Sequence, residues 1–210
     1  MAGSTATLTF DDDFNSLNLW NGTIGTWYTN SYGSGVSGNG FSPSGEQEWY
    51  INNNYAPTAS VTPWTVNNGI LTITAAAASS DIQPLINGYQ YTSGEITTSQ
   101  SFSQTYGFFE MRAELPAGQG TWPAFWLLDA NGQWPPELDV MEELGKDPST
   151  YYASLHWGSN WHHSSSSSQA ISVRSDTGQL IASASIRNDR GNVNRPMFFA
   201  GNNPATAKGC

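Results

Sequence analysis

The stretch WPPELDVMEELG, residues 134–145, sets four carboxylates within seven residues: Glu137, Asp139, Glu142 and Glu143. Leu138, Val140 and Met141 stand between them. Side chains of a strand alternate, so Glu137, Asp139 and Met141 would share one face and Glu142 would point the other way. One extra residue, a β-bulge, would bring Glu142 back beside Glu137 and Asp139. Three carboxylates along one partly desolvated face repel one another, and their proton affinities must separate. Cleavage of a glycosidic bond needs that separation. One ionised carboxylate attacks the anomeric carbon; another, roughly 5 Å away in retaining chemistry, holds a proton for the leaving oxygen. The middle carboxylate would hydrogen-bond its neighbours. A solvated strand face is the plainer reading, but the one-residue offset disfavours it. Glu143 is expected to be solvated or structural.

The surroundings agree with a sugar ligand. Trp122, Trp126 and Trp134 precede the carboxylates, and Trp157 and Trp161 follow them. Sugar rings present C–H faces that stack on indole, while their hydroxyls bond to amides and carboxylates. GEQEWYINNNY, residues 45–55, supplies such a polar mixture. Trp122 and Trp126 have even claims to the core and to a sugar. Trp134 precedes two prolines in a loop, which favours a ligand role. Arg112 is expected to pair with acids of a neighbouring strand. His162 and His163 read as a polar loop, because adjacent strand residues point apart. FDDDF, residues 10–14, could hold a structural Ca²⁺, but three consecutive acids lack the alternate spacing of a calcium loop. No other metal and no cofactor is expected, and no phosphate loop or Ser-His-Asp arrangement stands out.

These side chains need a scaffold, and the chain reads as all-β. ILTITAAA (70–77), SGEITTSQSF (93–102) and YGFFEMRAELP (106–116) alternate apolar and polar residues. TWPAFWLLD (121–129) is almost continuously apolar, as the central strand of a sheet covered on both faces would be. ELDVMEEL (137–144) and YYASLHW (151–157) follow. No amphipathic helix of three turns is found. Many short strands with Gly- and Pro-rich turns predict a sandwich or barrel. The 210 residues suffice for one domain, with 38% apolar, 13% aromatic and only 11% charged residues. A net charge of −10 argues against nucleic acid and anionic membrane surfaces as partners. No apolar run approaches the ~18 residues of a membrane span. The single cysteine is Cys210, so no disulfide forms within the chain. MAGSTATLTF lacks the basic start and apolar segment of a signal peptide. Either a signal lies beyond this sequence, or export uses another route, or the protein is cytosolic; a monomer outside the cell is the expectation.

Near Ser164–Ser168 the chain changes character. Two of its seven basic residues, Arg112 and Lys146, lie before that run and five after it. The expected division is a catalytic domain at 1–165 and an atypical polar segment at 166–210, either a polar tail or linker, or the result of a changed reading frame or a cut domain after about residue 173.

ELDVME resembles the E-x-D-x-x-E signature of glycoside hydrolase family 16 in its bulged form. YGFFEMRAELP, GTWPAFWLL and WPPELDVMEELG follow in that family's order and spacing, and GEQEWY followed by YAP resembles its N-terminal half. The likeness covers about residues 7–165 and is greatest to bacterial endo-β-glycanases of β-1,3/1,4-glucans or succinoglycan-type exopolysaccharide. It implies a concanavalin A-like jelly-roll β-sandwich with a concave cleft and retaining, endo-acting hydrolysis. Carried across, Glu137 is the nucleophile, Asp139 the charge-relaying partner and Glu142 the acid/base. Trp122, Trp126 and Trp134 would line sugar subsites, with His156 and Trp157 nearby. After HWGSNWHH the family's further aromatic-rich pattern is not found. A carbohydrate-binding sandwich without catalysis, or an inactive fragment, therefore stands as the alternative.

Overall fold

The computed structural model describes residues 7–30, 40–41, 46–116, 118–158, 163–170, 180–186 and 194–202. The strands are β1 (Gly40–Phe41), β2 (Glu48–Ile51), β3 (Trp64–Asn67), β4 (Ile70–Ile73), β5 (Ala76–Ala77), β6 (Tyr91–Ser93) and β7 (Glu95–Thr97). Then come β8 (Gly107–Ala113), β9 (Thr121–Asp129), β10 (Glu137–Glu143), β11 (Thr150–Trp157), β12 (His163–Ala170), β13 (Leu180–Ile186) and β14 (Asn194–Asn202). The helical content among the described residues is two 3₁₀ turns, Ala56–Thr58 and Gln83–Ile86, each with proline in its first turn. No helix among the described residues is long and apolar enough to cross a membrane.

The central layer is a six-stranded sheet in the order β12-β11-β10-β9-β14-β7. A four-stranded sheet, β1-β2-β6-β5, and two pairs, β13-β8 and β3-β4, complete the fold. The expected strand at 121–129 is β9, buried from Pro123 to Asp129 because strands flank it on both edges and its two faces are covered. In β8 the expected alternation holds: Phe109 and Met111 turn inward, while Phe108, Glu110 and Arg112 are exposed. One apolar cluster joins Phe109, Phe125, Leu127, Val140 and Met141. Each such side chain contributes about 1.5–3 kcal/mol by leaving water. A second cluster gathers Trp27, Trp49, Ile51, Trp64, Ile86 and Ile96.

The segment 166–210 supplies more structure than a tail would. β12 ends in it at Ala170, β13 pairs with β8, and β14 lies between β9 and β7. A ladder is made of backbone groups, so a strand can fill an open slot without side-chain alternation. Weak periodicity hid these strands. Trp161, His162 and residues 171–179, 187–193 and 203–210 lie outside the described residues.

A glycine clasp ties the end of β10 to the start of β9. Gly118 N–H donates to the Gly145 carbonyl at 3.0 Å, and Gly145 N–H donates to the Thr121 carbonyl at 2.9 Å. A Cβ on Gly145 would collide with the Thr121 side chain and the Gly118 carbonyl oxygen. The second obstacle is backbone and cannot swing aside. Gly145→Ala is expected to lower stability by about 1–3 kcal/mol. Urea unfolding measures it; an unchanged midpoint would mean that the clasp yields freely.

Candidate active site

Register and alternation together decide which side chains meet. Against β9, Glu137 stands opposite Leu128, Asp139 opposite Trp126 and Glu142 opposite Ala124. Against β11, Glu137 faces His156, Asp139 faces Ser154 and Glu142 faces Tyr152. Directly opposed residues of antiparallel strands share a face. The register slips by one residue between Asp139 and Met141 on the β9 side, and between Asp139 and Glu142 on the β11 side. This is the bulge that the carboxylate spacing demanded. Val140 and Met141 consequently both enter the core, and Glu142 returns to the face of Glu137 and Asp139.

Two indoles and an imidazole hold the three carboxyls. Trp122, at the start of β9, donates its Nε1–H to Glu142 Oε1 at 3.1 Å. Trp134, in the loop before β10, donates its Nε1–H to Glu137 Oε2 at 2.6 Å. His156 Nε2 and Asp139 Oδ2 share a hydrogen bond of 3.2 Å. The rings of Trp134 and His156 lie 6.2 Å apart. Trp134 is 55% exposed, so a broad indole face borders the carboxyls in open solvent.

Burial sets these groups apart electrostatically. Asp139 is pushed up to about 9 by its removal from water, then by the charges of Glu142 and Glu137 and by its hydrogen bond to Glu137. Burial and the Glu137 charge push Glu142 up to about 7, against the opposing pull of the Trp122 bond. Near neutral pH Asp139 keeps its proton and donates it to Glu137, while Glu142 can both give and take one. A neutral donor should therefore substitute for Asp139 better than a void. Asp139→Asn is expected to cost about tenfold in kcat/KM, and Asp139→Ala about 10²–10³-fold, because the alanine leaves the Glu137 charge without its donor. Steady-state kinetics of the two variants decide it; equal losses would mean that Asp139 acts by titrating rather than by donating.

Glu137, Asp139 and His156 each bring one ligand-type atom within 4.8 Å of the others. Within this group the Trp134 indole bonds to Glu137, and His156 shares a hydrogen bond with Asp139. Asp12 of the FDDDF run is used by the fold: its Oδ1 accepts the Phe14 N–H at 2.8 Å and its Oδ2 the Trp27 indole N–H at 2.7 Å.

Other expected site residues are placed differently. Trp126 shares the carboxylate face but is nearly buried, packed with Ala124 and Leu128. Trp157 is a correction. It follows His156, so alternation turns it with Leu155 to the opposite face of β11, away from the carboxyls. Residues of GEQEWYINNNY also serve the fold rather than an open groove. Glu48, Trp49, Tyr50 and Ile51 are buried, the Tyr50 hydroxyl lies 2.6 Å from Glu46 Oε2, and Asn53 and Asn54 donate to the Trp20 carbonyl. Sequence reasoning missed that the indoles bond to the carboxyls of this face as well as offering rings. Of the two readings open for Glu143, solvated or structural, the structure takes the second: the side chain is fully buried. Strand parity carried a signal for Glu143, since the bulge that recovers Glu142 sends its neighbour inward.

Comparison with known proteins bears on the same stretch. The model of "Glycosyl hydrolases family 16" matches residues 51–180. Endo-1,3-1,4-beta-glycanase ExsH of Rhizobium meliloti (strain 1021) is 58% identical over 153 residues, which cover 73% of this chain and 33% of that protein. Endo-1,3-1,4-beta-glycanase EglC of the same strain is 53% identical over 153 residues, with the same coverage. The chain thus spans about a third of the length of the curated relatives it matches. A crystal structure of a mutant of SCLam, a non-specific endo-beta-1,3(4)-glucanase co-crystallised with 1,3-beta-D-cellotriosyl-glucose, superposes with a TM-score of 0.70 at 21% identity. The superposition covers 94% of this chain and 84% of that one. The fold is accordingly the jelly-roll β-sandwich.

Proposed function

The chain belongs to glycosyl hydrolase family 16, and on that premise we propose that it cleaves internal β-glycosidic bonds of a polysaccharide by double displacement. One observation carries the reading: Glu137, Asp139 and Glu142 share one face of a bulged strand, with burial and neighbouring charge raising Asp139 and, less far, Glu142. Glu137 attacks the anomeric carbon and forms a glycosyl ester. Glu142 gives its proton to the leaving oxygen, then takes one from the water that hydrolyses the ester. Asp139 donates to Glu137 between events and steadies its charge. Trp134 offers an exposed ring for a sugar face. The chemistry needs no cofactor.

The substrate class is a β-glucan or a related exopolysaccharide, in keeping with the names of the Rhizobium meliloti relatives. A polymer of that size is met outside the cell, where we place the activity, with the chain acting as a monomer. Release of reducing ends from laminarin, mixed-linkage β-glucan, agarose, carrageenan and succinoglycan tests the reading, with Glu142→Ala as control. Release from one polymer, absent in the control, is expected. A folded chain that releases none from any of them refutes hydrolysis and leaves a glycan-binding sandwich.

A further inference from the structure

The two oxygens of Glu142 are not equivalent. Oε1 accepts the Trp122 indole N–H, while Oε2 has no hydrogen-bond partner among the described residues. An indole N–H donates and cannot accept. In a neutral carboxyl the carbonyl oxygen is the better acceptor, so this bond favours the form with its proton on Oε2. The donor is itself held in place. Trp122 follows Thr121, whose hydroxyl donates to the Gly118 carbonyl at 3.0 Å and whose own carbonyl accepts from Gly145. The other polar groups facing Glu142 are Glu137 and Asp139 on its own strand and Tyr152, Ser154 and His156 on β11; β9 presents Trp122 beside Ala124.

We propose that Trp122 is a positioning residue that assigns the catalytic proton to Oε2 of Glu142. The proposal rests on the hydrolase reading above and adds a role to a side chain otherwise taken for a sugar platform. In the first half-reaction the Oε2–H proton passes to the glycosidic oxygen as its bond to the anomeric carbon breaks and the Glu137 ester forms. In the second, water attacks the same carbon, the bond to Glu137 breaks, and the water proton returns to Oε2. Oε1 stays on the indole throughout, so one oxygen serves both steps without rotation of the carboxyl. Loss of the N–H lets the proton reside on either oxygen. It also removes a bond that favours the carboxylate, so the group holds its proton to higher pH.

The test compares wild type, Trp122→Phe and a variant with β-(3-benzothienyl)alanine at position 122, which replaces the N–H by sulfur and keeps the ring shape. Each is assayed on the polysaccharide that the wild type hydrolyses, and on a 2,4-dinitrophenyl oligosaccharide whose leaving group needs no proton. Both variants are expected to lose roughly tenfold in kcat on the polysaccharide, with KM within about twofold. The alkaline limb of kcat/KM moves to higher pH. The burst of dinitrophenolate stays near the wild-type rate. Equal losses on both substrates with the alkaline limb in place would overturn the proposal and leave Trp122 a structural or sugar-contacting residue. Wild-type kinetics in the benzothienyl variant would overturn it as well. Either outcome, with an active wild type and an inactive Glu142→Ala, leaves the hydrolase reading standing. A wild type that cleaves nothing fells that reading and this role together.

Discussion

Glu142→Ala is expected to lower polysaccharide turnover by about 10²–10⁴-fold, and Glu137→Gln to abolish it, with neither change unfolding the chain. The two losses differ in kind. Without Glu142, a glycosidic oxygen must leave as an alkoxide, and water must attack the ester unaided. A dinitrophenyl leaving group removes the first obstacle only. Glu142→Ala on such a substrate should release one burst of dinitrophenolate and then stall as glycosyl enzyme, visible by intact mass. Glu137→Gln should show no burst, because an amide is too poor a nucleophile to form the ester. The pH dependence separates them further. The acid form of Glu142 is required, and that group is held at about 7, so wild-type kcat/KM on the polysaccharide falls as pH rises through that region. The burst phase of Glu142→Ala should lack this alkaline limb. Folding should survive both changes: Glu142→Ala removes a carboxyl whose burial disfavours its charge, and Glu137→Gln keeps the size and an acceptor oxygen for the Trp134 indole. Substantial polysaccharide hydrolysis by either folded variant would sink the mechanism.

Glu143→Met should stabilise the protein, and increasingly so as pH rises. Glu143 is fully buried, and neither of its oxygens has a hydrogen-bond partner among the described residues. It stands opposite Tyr151, which packs on the Phe109–Met141 core. Burial, and then the Asp147 charge, raise it from 4.5 to about 7. The folded chain therefore binds this proton more tightly than the unfolded chain. Between about pH 4.5 and pH 7 the folded state holds more of it, so stability declines across that window and levels off above it. The cost at pH 8 is on the order of 3 kcal/mol, from the size of the shift. Methionine has similar length, no charge and no polar atom to leave unpaired. Urea unfolding of wild type and variant at pH 4, 6 and 8 should show the gap widening to that size. Parallel curves would mean that Glu143 finds water or a partner in solution. Asp139, Glu142 and Glu46 are also raised by burial, so wild-type stability falls at alkaline pH in any case; the difference between the two proteins isolates Glu143.

Much of the site was legible because strand alternation is a local rule. Carboxylates at 137, 139 and 142 share a face only if one residue is inserted, so the bulge could be read from their numbers. The continuous apolar run at 121–129 named the central strand beside them, and the absence of any helical period left a sandwich or barrel. His156 was reached through the family resemblance, whereas parity along β11 turned Trp157 away. The tertiary structure decided everything that depends on register between strands. It put Trp126 opposite Asp139, the Trp122 N–H on Glu142 and the Trp134 N–H on Glu137. It set β14 between β9 and β7 and withdrew Glu48 and Glu143 from water. No local pattern encodes these pairings. A strand carries its alternation in its own residues, but its partner, offset and solvent access come from distant segments competing for the same backbone edge and the same apolar cover.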